Sequence, residues 1–284
     1  MELEIQQAVR AAAGRLEATG VENPRRDATV LLAFVLGEDT GIFHRSPERY
    51  LSTREQADFN RVIERRATRE PVSHITGQRE FWSLDFAIGP AVLDPRPDSE
   101  TLIEVALDKI SKGHKVRNIL DLGTGSGCLL LSLLSEIPDA TGVGVDISDR
   151  ALLVARKNAE HLGLQARSKF QLGNWCAGIH EQFDLVLCNP PYIPAADVSD
   201  LQPEVRDFEP HLALIGGADG LDCYRNIIFQ LPSVLRSRGL VLFEVGSGQA
   251  AAVGGLLEES GFINVEFHID LASIDRCVSA YRGK

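Results

Sequence analysis

Four residues, Asn189-Pro190-Pro191-Tyr192, follow the apolar run Phe183–Cys188, and their types suit a reaction at a planar amino group. Two consecutive prolines fix two φ angles and remove two N–H donors, which keeps neighbouring carbonyls out of a regular ladder and free to accept. The asparagine adds an amide oxygen acceptor and the tyrosine a flat ring. Acceptors so arranged can hold both hydrogens of an NH2 group while a reagent approaches its nitrogen, the task posed by methylating an amide or a nucleobase amine. Cys188 abuts the loop, but no histidine lies within a few residues to activate it, so a buried strand cysteine is expected there.

A second constellation supplies the reagent. Asp121-Leu122-Gly123-Thr124-Gly125-Ser126-Gly127 follows an apolar strand pattern and precedes a helical one, so its glycines occupy a turn where a ligand can touch backbone. A dinucleotide fingerprint would want glycine where Cys128 stands, and Asp121 at the mouth would repel a pyrophosphate. S-adenosylmethionine has no phosphate and carries a sulfonium cation, which an acid favours. Asp146 ends the next strand pattern, where its carboxylate can accept from both ribose hydroxyls; Ser148 and Asp149 are better placed to cap the helix that follows. Asn174 and Trp175 come after the third strand, a polar side chain and a ring able to hold adenine, although a lone tryptophan is more often core.

These residues need elements to carry them. From residue 116 onward the pattern alternates: strands are predicted near 117–122, 141–146, 167–171, 183–188, 238–245, 262–269 and 275–282, and helices near 127–136, 149–162, 222–236 and 247–260. Such alternation means an α/β fold with an open, mostly parallel sheet covered by helices on both faces, and a ligand site at the carboxyl ends of its strands. Residues 1–72 read as a small all-helical domain, with Ile5, Val9, Ala12, Ala13 and Leu16 on one face and Phe59, Val62 and Ile63 inward on another. Asn23-Pro24 and Ser46-Pro47 look like helix starts. The arginines and acids interleaved between Arg54 and Glu70 read as a solvated helix face. Residues 73–96 read as a β-hairpin linker, and the catalytic domain is expected over 97–284, opening with a helix to about residue 110.

Composition narrows the partners. The net charge is −11, and residues 1–75 hold 11 Arg against 12 acidic residues, so almost all of the acidity falls on residues 76–284. A protein acting on duplex nucleic acid would usually present a basic face, so direct nucleic-acid binding is not expected. The strongest apolar stretch, residues 30–36, is far short of the roughly 20 residues that span a bilayer, and the acidic, polar residues 1–7 do not read as a secretory signal. A cytoplasmic protein without membrane contact is expected. Five scattered cysteines with no C-x-x-C pair point to reduced thiols and no metal site.

The loop Asn189 to Tyr192, the stretch Asp121 to Gly127, Gly77-Gln78-Arg79-Glu80-Phe81-Trp82, Pro95-Arg96-Pro97-Asp98-Ser99-Glu100 and Arg206-Asp207-Phe208-Glu209-Pro210 together resemble the bacterial protein-(glutamine-N5) methyltransferases, and among them the release-factor-specific PrmC/HemK family. The likeness runs over essentially the whole chain. It implies a Rossmann-like seven-stranded S-adenosylmethionine-dependent methyltransferase domain behind an N-terminal helical domain that docks the substrate. The implied substrate is a class 1 peptide chain release factor, methylated on the glutamine of its Gly-Gly-Gln loop to tune translation termination, with S-adenosylhomocysteine as the second product. By that likeness Gly123 to Gly127, Asp146, Trp175 and Asn189 contact the cofactor, and Asn189 to Tyr192 hold the glutamine. Asn174 stands where relatives often have Asp; its amide oxygen can still meet the adenine amino group. The helices of residues 1–72 and the Phe81–Trp82 hairpin are expected to frame a protein-sized groove. Other acceptors compatible with such a loop are a ribosomal-protein glutamine and, with the acidity against it, an adenine or cytosine amino group of nucleic acid.

Overall fold

The computed structural model describes residues 3–284; Met1 and Glu2, part of the polar opening weighed against a secretory signal, lie outside the described residues. The chain divides into two units, Met1–Gln78 with Gln202–Phe208, and Arg79–Leu201 with Glu209–Lys284.

The first unit is helical: α1 (Ile5–Glu17), α2 (Pro24–Leu36), α3 (Ile42–Arg45), α4 (Thr53–Ala67) and α5 (Val72–Thr76). Its core is built by Ile5, Val9, Ala12 and Leu16 of α1, Leu31 and Leu32 of α2, and Phe59, Val62 and Ile63 of α4, each set recurring at three- and four-residue spacing so that one stripe per helix is withdrawn from water. Pro24 opens α2 as expected, but Ser46-Pro47 starts no helix. The cap of α4 is Ser52, whose hydroxyl accepts from the Glu55 N–H while the Glu55 carboxylate accepts from the Ser52 N–H, a reciprocal box that satisfies two orphan donors.

The arginine-rich stretch is not wholly a solvated face. Arg54 and Arg61 do pair with Asp58 at the surface, whereas Arg66 is buried and donates to Asp27 at 2.8 Å and to Glu204 at 2.9 Å. Arg69 donates from two nitrogens to both oxygens of Glu204, each at 2.6 Å. Removing one partner of a buried pair strands the other charge, which is costlier than never having the pair. Arg66→Ala is therefore expected to lower the unfolding free energy of this unit by about 3 kcal/mol in a urea titration with unchanged slope.

The second unit begins with a hairpin, β1 (Gln78–Phe81) and β2 (Leu84–Ala87), turned by Trp82 and Ser83, both at positive φ as a two-residue hairpin turn requires. Phe81 is 1 % exposed and packs edge-on against Phe86, so it belongs to the core of this unit and is not free to line a groove. A 3₁₀ turn (Pro97–Ser99) leads into α6 (Glu100–Ser111), followed by β3 (Asn118–Leu122), α7 (Cys128–Glu136), β4 (Thr141–Asp146), α8 (Asp149–His161), β5 (Ser168–Leu172) and β6 (Phe183–Cys188). After α9 (Pro203–Arg206), which falls in the first unit, come α10 (Asp222–Val234), β7 (Leu235–Glu244), α11 (Ala250–Glu259), β8 (Phe262–Ile269) and β9 (Asp275–Arg282).

The seven strands lie in the order β5-β4-β3-β6-β7-β9-β8, parallel except for β9, which runs antiparallel to both neighbours. Alternation along the strands feeds two cores. Leu185, Leu187, Leu240 and Leu242 face α6 and α7, while Val186, Cys188, Val241 and Phe243 face α10 and α11. β7 starts three residues earlier than its pattern suggests because a bulge opposite Phe183 to Leu185, with Arg238 at positive φ, absorbs the irregular residues. The chain leaves β3 toward β4 and β5 on one side and returns through β6 and β7 on the other. The carboxyl ends of β3, β4 and β6 therefore border the crevice where the winding reverses.

Candidate active site

A cavity of about 310 Å³ occupies that crevice. Gly123, Thr124, Gly125 and Ser126 form one wall, Asp146 and Ser148 a second, Asn174 and Trp175 a third, and Asn189 with Pro191 a fourth. The turn after β3 needs its glycines: Gly123 has φ +71°, and a Cβ there would stand 3.5 Å from the Trp175 ring and 3.9 Å from the Asn189 carbonyl. That approach draws three strand ends around one point.

Asp146 is what shapes the turn. One carboxylate oxygen accepts from the Gly125 N–H at 2.9 Å and the other from the Ser148 N–H at 2.9 Å. Ser148 itself caps α8, accepting from the Ala151 N–H. Burial raises the Asp146 pKa, and the backbone donors of Ser148, Gly125 and Ile147 oppose it.

Four of the expected site residues stand behind the walls. Asp121 is 1 % exposed and lies under the turn, not at its mouth, where it accepts from the Thr124 hydroxyl at 2.6 Å; its other oxygen has no hydrogen-bond partner. Burial pushes its carboxyl up to about 7, against the Thr124 hydrogen bond and with the help of Asp146. Gly127 heads α7 at φ +81°, and a Cβ there would press within 3.2–3.5 Å of Leu131, Ala155 and Phe170, so backbone conformation and packing both require glycine. Pro190 is buried. Tyr192 turns its ring into the core near Gly246 and its carbonyl accepts from Gln249 Nε2 at 3.0 Å, which makes it an anchor of the loop; burial pushes its hydroxyl up to about 12.

The loop is braced from its far side by residues that the sequence does not single out. The Ile193 N–H donates to the Leu214 carbonyl at 3.0 Å and the Gly216 N–H to the Ile193 carbonyl at 2.8 Å. A Cβ on Gly216 would meet the Pro191 carbonyl at 2.6 Å, so only glycine lets this strap lie so close. Arg96 and Glu209, from two stretches known from sequence only as marks of resemblance, meet here too: Arg96 lines the cavity and donates to Glu209 at 2.5 Å. Burial pushes Glu209 up to about 7, with Arg96 opposing. Asn189 Nδ2 donates to the Ser99 hydroxyl at 3.5 Å. Burial pushes Glu244, which ends β7 beside β6, up to about 7; the nearby Ser99 hydroxyl and then Arg276 oppose the shift, Asp98 reinforces it and Arg96 opposes it. An acid at the carboxyl end of the strand next to Asn189 was a signal available in the sequence.

Nucleophilic thiol chemistry finds no support here. Cys188 is fully buried with its Sγ 3.1 Å from the Leu122 carbonyl, and burial raises its pKa well above that of a free thiol. Cys128 is pushed up to about 12 and Cys223 to about 11 by the same cause. Among the described residues no cluster of His, Cys, Asp or Glu is placed to hold a metal ion, and no helix is long and apolar enough to cross a membrane.

The residues present fit S-adenosylmethionine. The walls pair apolar surface from Leu93, Leu129, Val145 and Ala151 with Asp146 and two asparagines, and the one cation among them, Arg96, is already neutralised by Glu209. Asp121 beneath the turn, when ionised, adds negative potential that disfavours a phosphate.

Comparison with known proteins places this arrangement. Residues 7–77 match the PrmC N-terminal domain and residues 97–202 the Methyltransferase small domain. Over 270 residues, 95 % of this chain and 82 % of the relative, it is 49 % identical to a release factor glutamine methyltransferase of Rhodospirillum rubrum. Over 273 residues, 96 % of each, it is 44 % identical to one of Cereibacter sphaeroides. The hMettl16 catalytic domain, solved with the MAT2A 3′UTR hairpin 6, superposes with a TM-score of 0.59 at 18 % identity over 88 % of this chain and 91 % of that one, a likeness of fold. The seven-stranded sheet and its crevice are those of the methyltransferases, whose family and fold imply S-adenosylmethionine as methyl donor. Within that class, this chain belongs to the release factor glutamine methyltransferase family.

Proposed function

We infer that this chain methylates the side-chain amide nitrogen of a glutamine in a peptide chain release factor, the glutamine of the Gly-Gly-Gln loop in a class 1 factor. The observation that carries the reading is the position of Asn189, an acceptor at the carboxyl end of β6 that shares one cavity with the glycine turn and Asp146. The names of the relatives supply the substrate.

A glutamine amide nitrogen is a poor nucleophile because its lone pair is delocalised into the carbonyl. Asn189 Oδ1 accepts one amide hydrogen, and the carbonyl of Pro190, although that residue is buried behind the cavity wall, is assigned the second, which holds the nitrogen with its face toward the cavity. Pro191, the Gly216 strap and the Tyr192 anchor keep those acceptors from moving. S-adenosylmethionine, when bound, would supply an electrophilic methyl group, with S-adenosylhomocysteine as the second product. Asp146 would hold the ribose, and Asn174 and Trp175 the adenine. Orientation of this kind can contribute ~7–11 kcal/mol to lowering a barrier. No strong base is required: once nitrogen carries positive charge, its proton passes downhill to a loop carbonyl or water.

Residues 1–72 are assigned the docking of the factor, residues 73–96 a linker and residues 97–284 the chemistry, in a protein that works in the cytoplasm without contacting nucleic acid. The test is transfer of labelled methyl from S-adenosylmethionine to purified release factor, ribosomal proteins and RNA in turn. Label on a single glutamine of the release factor is expected; label found only in ribosomal protein or only in RNA would sink this reading.

A further inference from the structure

We propose that Gln249 is a positioning residue for methyl transfer: its side-chain amide holds the far end of the Asn189–Tyr192 loop through the Tyr192 carbonyl, and so sets where the Asn189 and Pro190 acceptors stand. This rests on those two groups holding the substrate amide. A loop with two successive prolines has few handles, because neither Pro190 nor Pro191 has an N–H to give. On its amino side the loop is fixed by the last register pairs of β6, Cys188 with Leu122 and with Phe243. Its other side needs a donor from elsewhere.

That donor comes from the turn between β7 and α11. The chain folds back there through Gly246 to Gln249, the residue before α11; the Gln249 N–H donates to the Gly246 carbonyl at 3.0 Å, and Gly248 takes φ +82°. The Gln249 side chain then bridges two backbones. Its Oε1 accepts from the Gly246 N–H at 3.1 Å, and its Nε2 donates to the Tyr192 carbonyl at 3.0 Å. An amide can be set either way round, but a backbone N–H only donates and a carbonyl only accepts, so a single orientation satisfies both. Two glycines leave the room this needs. A Cβ on Gly246 would stand 2.9 Å from Gln249 Oε1 and 3.0 Å from the Tyr192 ring, and one on Gly220 would stand 2.6 Å from Gln249 Nε2 and collide with the Tyr192 carbonyl.

The acceptors thus lie on a short span, clamped by a strand at one end and by Gln249 at the other. Tyr192 and Gln249 both stand outside the cavity wall, so loosening this clamp shifts the acceptors without changing any residue that lines the cavity. A misplacement of about 1 Å can cost on the order of 100-fold in rate. A merely structural role makes the opposite forecast for one substitution. Gln249 holds the N-cap position of α11 without capping it, and a carboxylate there is favoured by the helix dipole. In Gln249→Glu the bond from the Gly246 N–H survives and α11 gains a favourable charge, yet an oxygen is set against the Tyr192 carbonyl. Only the loop loses.

The test measures Gln249→Glu, Gln249→Met and Asn189→Ala in the full-length protein with intact release factor, at mildly alkaline pH so that the introduced carboxyl is ionised. Gln249→Glu is expected to lower kcat on the order of tenfold, with the midpoint of thermal unfolding unchanged or raised. KM for release factor and affinity for S-adenosylhomocysteine should stay within about twofold of wild type, since the change is felt in alignment. Gln249→Met, similar in length and uncharged, should lower kcat comparably, which assigns the loss to the missing donor and not to the added charge. A kcat within about threefold of wild type in either Gln249 variant, beside an inactive Asn189→Ala, overturns this inference and leaves the proposed function standing. A loss in Gln249→Glu that comes with a lower unfolding midpoint or weakened S-adenosylhomocysteine binding marks a structural role and overturns it as well. An active Asn189→Ala overturns both.

Discussion

Alanine at position 189 is expected to lower kcat by on the order of 10²–10³-fold while leaving the fold and cofactor affinity nearly intact. The effect is large because Asn189 supplies a preorganised acceptor inside a site closed by buried strand ends, where a lost hydrogen bond is not replaced by bulk water. The fold should survive because the side chain is half-buried and its hydrogen bond to Ser99 is long at 3.5 Å. Single-turnover methyl transfer with labelled donor gives the rate, and calorimetric titration with S-adenosylhomocysteine gives the affinity. A variant that binds the product normally and still turns over within about threefold of wild type would show that Asn189 does not hold the amide.

Asp146→Ala should have the opposite signature, a loss of cofactor affinity of about 100-fold with the folded state retained. The carboxylate accepts two backbone N–H bonds, from Gly125 and Ser148, and its removal leaves the glycine turn unbraced as well as the ribose unheld. Charge-assisted hydrogen bonds contribute about 1.5–3 kcal/mol each, so losing the equivalent of one or two gives that factor. Binding of S-adenosylmethionine and S-adenosylhomocysteine should weaken equally, because both carry the ribose. A dissociation constant changed by less than about threefold would remove Asp146 from the cofactor site.

Much of the molecule was legible from local pattern. All seven strands of the large sheet and the four helices between them fall within a few residues of their predicted positions, because period-two and period-3.6 repeats are written in consecutive residues. The same holds for the glycine turn, since positive φ at Gly123, Gly125 and Gly127 is a demand each glycine meets alone. Reading failed where a local signal had two outcomes. Ser46-Pro47 offered a cap and a proline, but the reciprocal pair of Ser52 and Glu55 satisfies more of the helix end. Arg66 carried the same charge pattern as its solvated neighbours and is nonetheless buried, since its partner Glu204 lies 138 residues away.

The chemistry was likewise divided. The loop Asn189 to Tyr192 and the turn Asp121 to Gly127 led to the proposal of an amide-holding site and a phosphate-free nucleotide site from residue types alone, because hydrogen-bonding capacity and backbone freedom belong to single residues. Only the folded chain decided which of those residues face the cavity: Asp121 went beneath the turn, Tyr192 into the core, and Arg96 and Ser99 came forward from a stretch with no legible role. Facing is set by strand order and register, which bring residues 90 or more positions apart to one edge of the sheet, and no local pattern encodes that juxtaposition.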